Sequence, residues 1–170
     1  GDGEVEDHEV TVPPNPCPDP TTQGEQSLRG MRFKLADKSG GNDPRRRRFW
    51  GRAFHSINGN TAIGEPDVCG ATIELIANGT NPTRQKFTLP ETNWASVAGG
   101  KRFIYKDPDN EHSPVVQMVL AQQSRRRFSI MAFARGAPSS PVPLEMVPPN
   151  EGTDAWMIVQ IGAGDRYCAH

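Results

Sequence analysis

Residues 102–121 read RFIYKDPDNEHSPVVQMVLA, and this stretch decides the fold class. Phe103 and Tyr105 stand between Arg102, Ile104 and Lys106, so the largest apolar side chains recur at every second position. From Asp107 to Pro114 the chain changes to turn-formers, including two prolines, and from Val115 to Ala121 a second apolar run resumes. Period-two alternation marks a strand with one buried face, and two such runs about a turn mark an antiparallel hairpin.

The same pattern extends outward in both directions. Short runs occur at 31–37 (MRFKLAD), 47–54 (RRFWGRAF), 71–77 (ATIELIA), 85–90 (QKFTLP), 127–134 (RFSIMAFA), 143–147 (PLEMV) and 156–162 (WMIVQIG). Turn-formers such as SGGNDP (39–44), NGTNP (78–82), GAPSSP (136–141) and PPNEGTD (148–154) separate them. The expected fold is therefore all-β, an antiparallel β-sandwich or barrel of about nine strands. A single helical turn is expected near Glu91 to Ala98. The 17 glycines and 16 prolines among 170 residues favour this reading over helices, which tolerate neither residue in their interior.

Two internal matches suggest a duplication. Residues 30–37 resemble 100–107, agreeing at Gly30/Gly100, Arg32/Arg102, Phe33/Phe103 and Asp37/Asp107. Residues 46–54 resemble 125–133 at six of nine positions. The expected organisation is an acidic, Pro-rich extended arm (1–27), a first β unit (28–97) and a second (98–170), the two units forming one compact domain.

Charge is unevenly spread. Residues 1–28 hold seven acids and no Lys or Arg, leaving 13 acids and all 19 Lys and Arg to the rest. An acidic arm could dock on a basic face of its own or a neighbouring subunit, and such docking would weaken with salt. The basic runs 45–48 and 125–127 fall at the starts of equivalent strands, where charge blunts an exposed edge. Period-two placement would send the basic side chains to alternate faces, so no nucleic-acid partner is expected.

Known chemistry is sparse. The chain lacks GxSxG and GxGxxG, and Gly99, Gly100 and Lys101 lack the spacing of a phosphate-binding loop. The four histidines are dispersed and no cysteine pair has metal-ligand spacing, so no cofactor and no enzymatic activity are expected. Asp107, Asp109 and Glu111 alternate in a turn and form a weak candidate for Ca²⁺, although His112 and Met118 occupy places where an EF-hand needs Gly and Glu. Trp50, Trp94, Trp156 and Tyr105 are candidates for stacking on sugar rings. Of three cysteines, Cys69 and Cys168 are the preferred disulfide pair, with Cys17 able to replace either. No apolar run is long enough to span a bilayer as a helix. The start at Gly1 suits a mature, exported product.

The segments NDPRRRRF, GATIELIANG, FTLPETNW, GKRFIYKD, SPVVQMVL and GDRYCA, in this order, resemble an uncharacterised domain of predicted secreted bacterial proteins. The resemblance spans residues 28–169 and departs from the pattern at Asn93 and Ser113, where glycine is common. It implies a secreted β-domain and carries no activity. Two roles follow as expectations: a non-catalytic extracellular structural module that self-associates through its arm, or a carbohydrate-binding module for a cell-surface polysaccharide.

Overall fold

A computed structural model describes residues 25–38, 43–55, 65–123, 127–149, 151–162 and 165–170. The chain is all-β, as expected. Among the described residues ten strands form one curled, mixed sheet, a half-barrel. In chain order they are β1 (Glu25–Asp37), β2 (Arg47–His55), β3 (Ala71–Gly79), β4 (Thr83–Leu89), β5 (Trp94–Val97), β6 (Arg102–Lys106), β7 (Val115–Gln123), β8 (Arg127–Arg135), β9 (Gly152–Ile161) and β10 (Arg166–Ala169). Their spatial order is β4-β3-β9-β10-β1-β2-β8-β7-β6-β5.

The curl follows from connectivity. β4 and β5 are the two edges of the sheet, yet only Pro90 to Asn93 separates them in the chain. A flat ten-stranded sheet would hold its edges about 43 Å apart, whereas that link spans at most about 18 Å. The sheet has to bend until the edges approach. A single 3₁₀ turn at Glu91–Asn93, within the stretch expected to form one helical turn, makes the link, and the short helix α1 (Pro66–Cys69) packs on it.

β1 joins the two wings. Its first residues, Glu25 to Leu28, pair with β10 in parallel, and from Arg29 onward it pairs antiparallel with β2, with a register shift between Gly30 and Arg32. The sheet is therefore mixed rather than antiparallel. Residues 25–27, assigned above to the arm, belong to a strand; the rest of the arm lies outside the described residues. The two sequence units also interleave: β8 lies beside β2, β9 beside β3, and β10 beside β1. Of the two internal matches, the second falls on the neighbours β2 and β8. The first falls on β1 and β6, which hold unlike places in the sheet.

Inside the curl, alternate residues of both wings share one core. Phe49, Ile73, Leu75, Phe87, Tyr105, Leu120, Phe128 and Tyr167 are essentially solvent-free. The run 143–147, expected to be a strand, joins no ladder. Pro141, Pro143, Pro148 and Pro149 lack the N–H groups a ladder needs. It serves as a strap across the inner face. Leu144 and Met146 are fully buried and contribute about 1.5–3 kcal/mol each. The Gln85 amide on β4 donates to Pro143 O (2.7 Å) and accepts from Glu145 N (3.0 Å). On β2 the Arg47 guanidinium donates to Leu144 O (3.3 Å) and Glu145 O (2.7 Å).

Both tyrosines of the chain are buried in this core. Desolvation, reinforced by Asp107 beside Tyr105 and by Asp165 beside Tyr167, raises each phenol well above its ordinary value of 10. Above pH 10 the unfolded chain releases these protons while the folded protein keeps them, so stability falls as pH rises from that point. Tyrosinate absorbance is expected to appear only together with unfolding, at a pH above 10. A reversible titration near 10 in folded protein would place at least one phenol in water.

Candidate functional site: a basic, aromatic sheet face

On β2, β6 and β8, and on β1 after its register shift, the even- and odd-numbered side chains divide between the core and the outer face. β2 buries Arg47, Phe49, Gly51 and Ala53 and turns out Arg48, Trp50, Arg52 and Phe54. β1 turns out Arg32, Lys34 and Ala36; β8 turns out Met131, Phe133 and Arg135; β6 turns out Arg102, Ile104 and Lys106. Pairing aligns these positions into rows. One row runs Ala36–Arg48–Arg135, the next Lys34–Trp50–Phe133–Gln117–Lys106, and the third Arg32–Arg52–Met131–Val119–Ile104. Among the described outward positions of these strands there is no acidic side chain.

Two of the pairings set like charges directly opposite each other: Arg32 with Arg52, and Arg48 with Arg135. Such pairs destabilise a sheet. The other wing follows the opposite practice, with Glu74 across from Lys86 and in an ion pair with Arg84. The expectation that basic side chains would alternate between faces holds for Arg47 and Arg48 but not beyond them, since Arg32, Lys34, Arg48 and Arg52 all stand at outward even positions. The expectation that they guard sheet edges fails too, since β2 and β8 lie mid-sheet.

The surface is concave in three adjoining places. A hollow of about 330 Å³ is lined by Arg32, Lys34, Lys38, Arg48, Trp50 and Phe133. It shares Lys38 and Arg48 with a hollow of about 430 Å³ that adds Arg45, Arg46 and Arg135. A third, of about 540 Å³, lies beyond Arg52 and includes Lys101 and Arg102. The second hollow has a fixed wall. Asp43 accepts from Arg45 N (3.0 Å) and Arg45 Nε (2.8 Å), which orients that guanidinium and lowers the Asp43 pKa. Gly136 lies so close beneath the Pro44 carbonyl that a Cβ there would fall 1.8 Å from its oxygen. Arg135 is anchored through Nη2 to Pro108 O (2.9 Å). The arrangement offers planar cations to an anion and one aromatic pair to an apolar ring face.

The structure separates the four aromatic candidates. Trp50 lines this groove, half-buried, with the Arg32 guanidinium 5.2 Å from its ring centre. Trp94 and Tyr105 are core residues, packed on each other at 5.4 Å, and are unavailable to a ligand. Trp156 lies on the other wing, its ring stacked on His170 at 4.0 Å and its Nε1 donating to Asp154 Oδ1.

Asp107, Asp109 and Glu111 do not converge. The Asp107 carboxylate points inward and accepts the backbone N–H groups of Glu111 (2.8 Å), His112 (3.0 Å) and Ser113 (3.3 Å), while Asp109 and Glu111 face solvent. A carboxylate surrounded by donors closes the turn and is turned away from any cation. Among the described residues no group of three or more His, Cys, Asp or Glu could hold a metal ion.

The Cys69–Cys168 pairing is also corrected. Cys69 is exposed and free, its thiol donating to Glu65 O. Cys69 ends α1 and lies against Gly162, whereas Cys168 pairs with Ile158, four residues earlier on the neighbouring strand β9. That separation is about 14 Å, well beyond disulfide reach. Cys17 lies outside the described residues.

Sequence reasoning missed Arg32, Lys34, Lys38, Arg48, Phe133 and Arg135. For β1 and β2 the signal was present as basic or aromatic residues at positions 32, 34, 38, 48, 50 and 52, with Ala36 interrupting it. Comparison with protein-family models, curated proteins and solved structures returned no match.

Proposed function

We propose that this chain is a non-catalytic extracellular binding module whose outer sheet face holds an acidic polysaccharide. The observation that carries the reading is the pair of like-charge cross-strand contacts flanking Trp50 over connected hollows. A fold that sets like charges against each other on one face, with no acid among its described outward positions, and avoids this on the other has placed those charges for a partner. A polyuronate or sulfated glycan supplies both complements, anions for the guanidinium groups and a C–H ring face for Trp50. Single-stranded nucleic acid fits less well, because stacked bases use successive aromatic platforms, whereas Arg52 interrupts this face between the Trp50–Phe133 pair and Phe54. The resemblance to secreted bacterial domains agrees with such a ligand. Self-assembly by strand addition has less support, since the edge strand β5 is four residues long and the other edge, β4, exposes Arg84 and Lys86.

Calorimetric titration of the full chain with polygalacturonate and with an uncharged glucan tests this. The polyuronate is expected to bind at low salt and to weaken as salt is raised. Trp50→Ala and Arg48→Ala are each expected to weaken it about tenfold, roughly 1.4 kcal/mol, with unchanged circular dichroism. Equal binding of the uncharged glucan, or no binding of the polyuronate at low salt, would defeat the proposal.

A further inference from the structure

We infer that this face takes a chain and not a single charged sugar, with one acidic polymer bridging two separate cationic subsites. The inference rests on the polysaccharide reading above and adds its length requirement. The first subsite is the corner of Lys38, Arg48 and Arg135, with Arg45 and Arg46 on its wall. The second is the ledge of Lys101 and Arg102 beside Arg52. Arg135 and Ser129 lie at the two ends of one stretch of β8, and Ser129 is in register, through Ala121 of β7, with Arg102 of β6. Six residues along a strand and two strands across place the subsites about 22 Å apart.

That separation is about twice the distance over which salt screens exposed charges at moderate ionic strength, about 10 Å. Arg135 and Arg102, at the far ends of the two clusters, therefore attract anions independently, and a short ligand at either end gains little from the other. Between them lie the Trp50–Phe133 pair and then Arg52 and Met131, a path with an aromatic pair, one cation and, among the described outward residues, no acid. A polymer long enough to follow it binds its second subsite intramolecularly, which raises affinity by about 10²–10⁴ without any new kind of contact. A shorter oligomer meets only one subsite.

The experiment is calorimetric titration of the full chain with oligogalacturonates of defined length, from disaccharide to oligomers longer than about 22 Å. Affinity is expected to rise at least tenfold once the oligomer exceeds that length, at one oligomer per protein. A Lys101→Ala/Arg102→Ala variant is expected to lose that rise and to keep, for the shortest oligomers, only the binding of the corner formed by Lys38, Arg48 and Arg135. Equal per-residue affinity at all lengths, or an equal loss for short and long oligomers in the variant, overturns the bridging while leaving polysaccharide binding intact. No binding at any length removes both readings. Tighter binding of a single-stranded oligonucleotide of matched charge assigns the face to nucleic acid instead and overturns the inference.

Discussion

Arg47→Met is expected to lower the unfolding free energy by about 3–5 kcal/mol, the range for removing one partner of a buried ion pair. Arg47 is 5% exposed although it belongs to a run of four arginines. Its Nε lies 3.3 Å from Asp37 Oδ2, and its Nη1 holds two carbonyls of the strap. Methionine would leave the Asp37 carboxylate and both carbonyls without this donor. It would also loosen the seat of Leu144 and Met146 across the inner face. Because domains of this size have only about 5–15 kcal/mol in total, the loss should be plain in the urea midpoint. Arg47→Lys should lose most of the same energy, since one ammonium cannot reproduce the guanidinium fork. Asp37→Leu combined with Arg47→Met should recover part of it by removing the carboxylate that faced the guanidinium. An unchanged midpoint in Arg47→Met would mean that apolar contact alone holds the strap.

Asp107→Ala is expected to cost about 2–4 kcal/mol, the penalty for stranding several buried donors. The side chain is 2% exposed and accepts three successive backbone N–H groups, with the Tyr105 hydroxyl 3.4 Å away. The turn it closes contains Asn110 at φ 56°, whose Nδ2 donates to Ser113 O (2.9 Å). Asp107→Asn keeps one acceptor oxygen and should cost about half as much. Added Ca²⁺ should not raise the melting temperature of the unaltered protein, because the carboxylate is engaged with backbone donors. A change below about 0.5 kcal/mol, the range of ordinary surface substitutions, would show the carboxylate to be solvated.

Particular residues show how far local reading carries. β3, β6, β7 and β8 stand where period-two alternation places them, because alternation is set by the pleat and needs only residues two apart. WASV and RYCA were passed over as strands, being four residues each and too short to display a period. PLEMV displays one and is not a strand, because its prolines remove ladder donors while Leu144 and Met146 still reach the core. Trp94 and Trp50 look alike in sequence, each beside an apolar run. One faces the core and the other the groove, because the faces were assigned only when pairing was complete.

The amino-acid sequence alone determined the all-β class, the turn positions and the inner or outer parity of residues within most strands. These depend on side-chain pattern over a few residues and on turn chemistry. Only the tertiary structure decided that β1 joins both wings and runs parallel to β10, that Cys69 stands far from Cys168, and that the even positions of β1 and β2 align with the outward residues of β8. Strand order and register are long-range choices, and the same alternation satisfies many of them. The basic face exists only in the one register that brings Arg32 against Arg52 and Arg48 against Arg135.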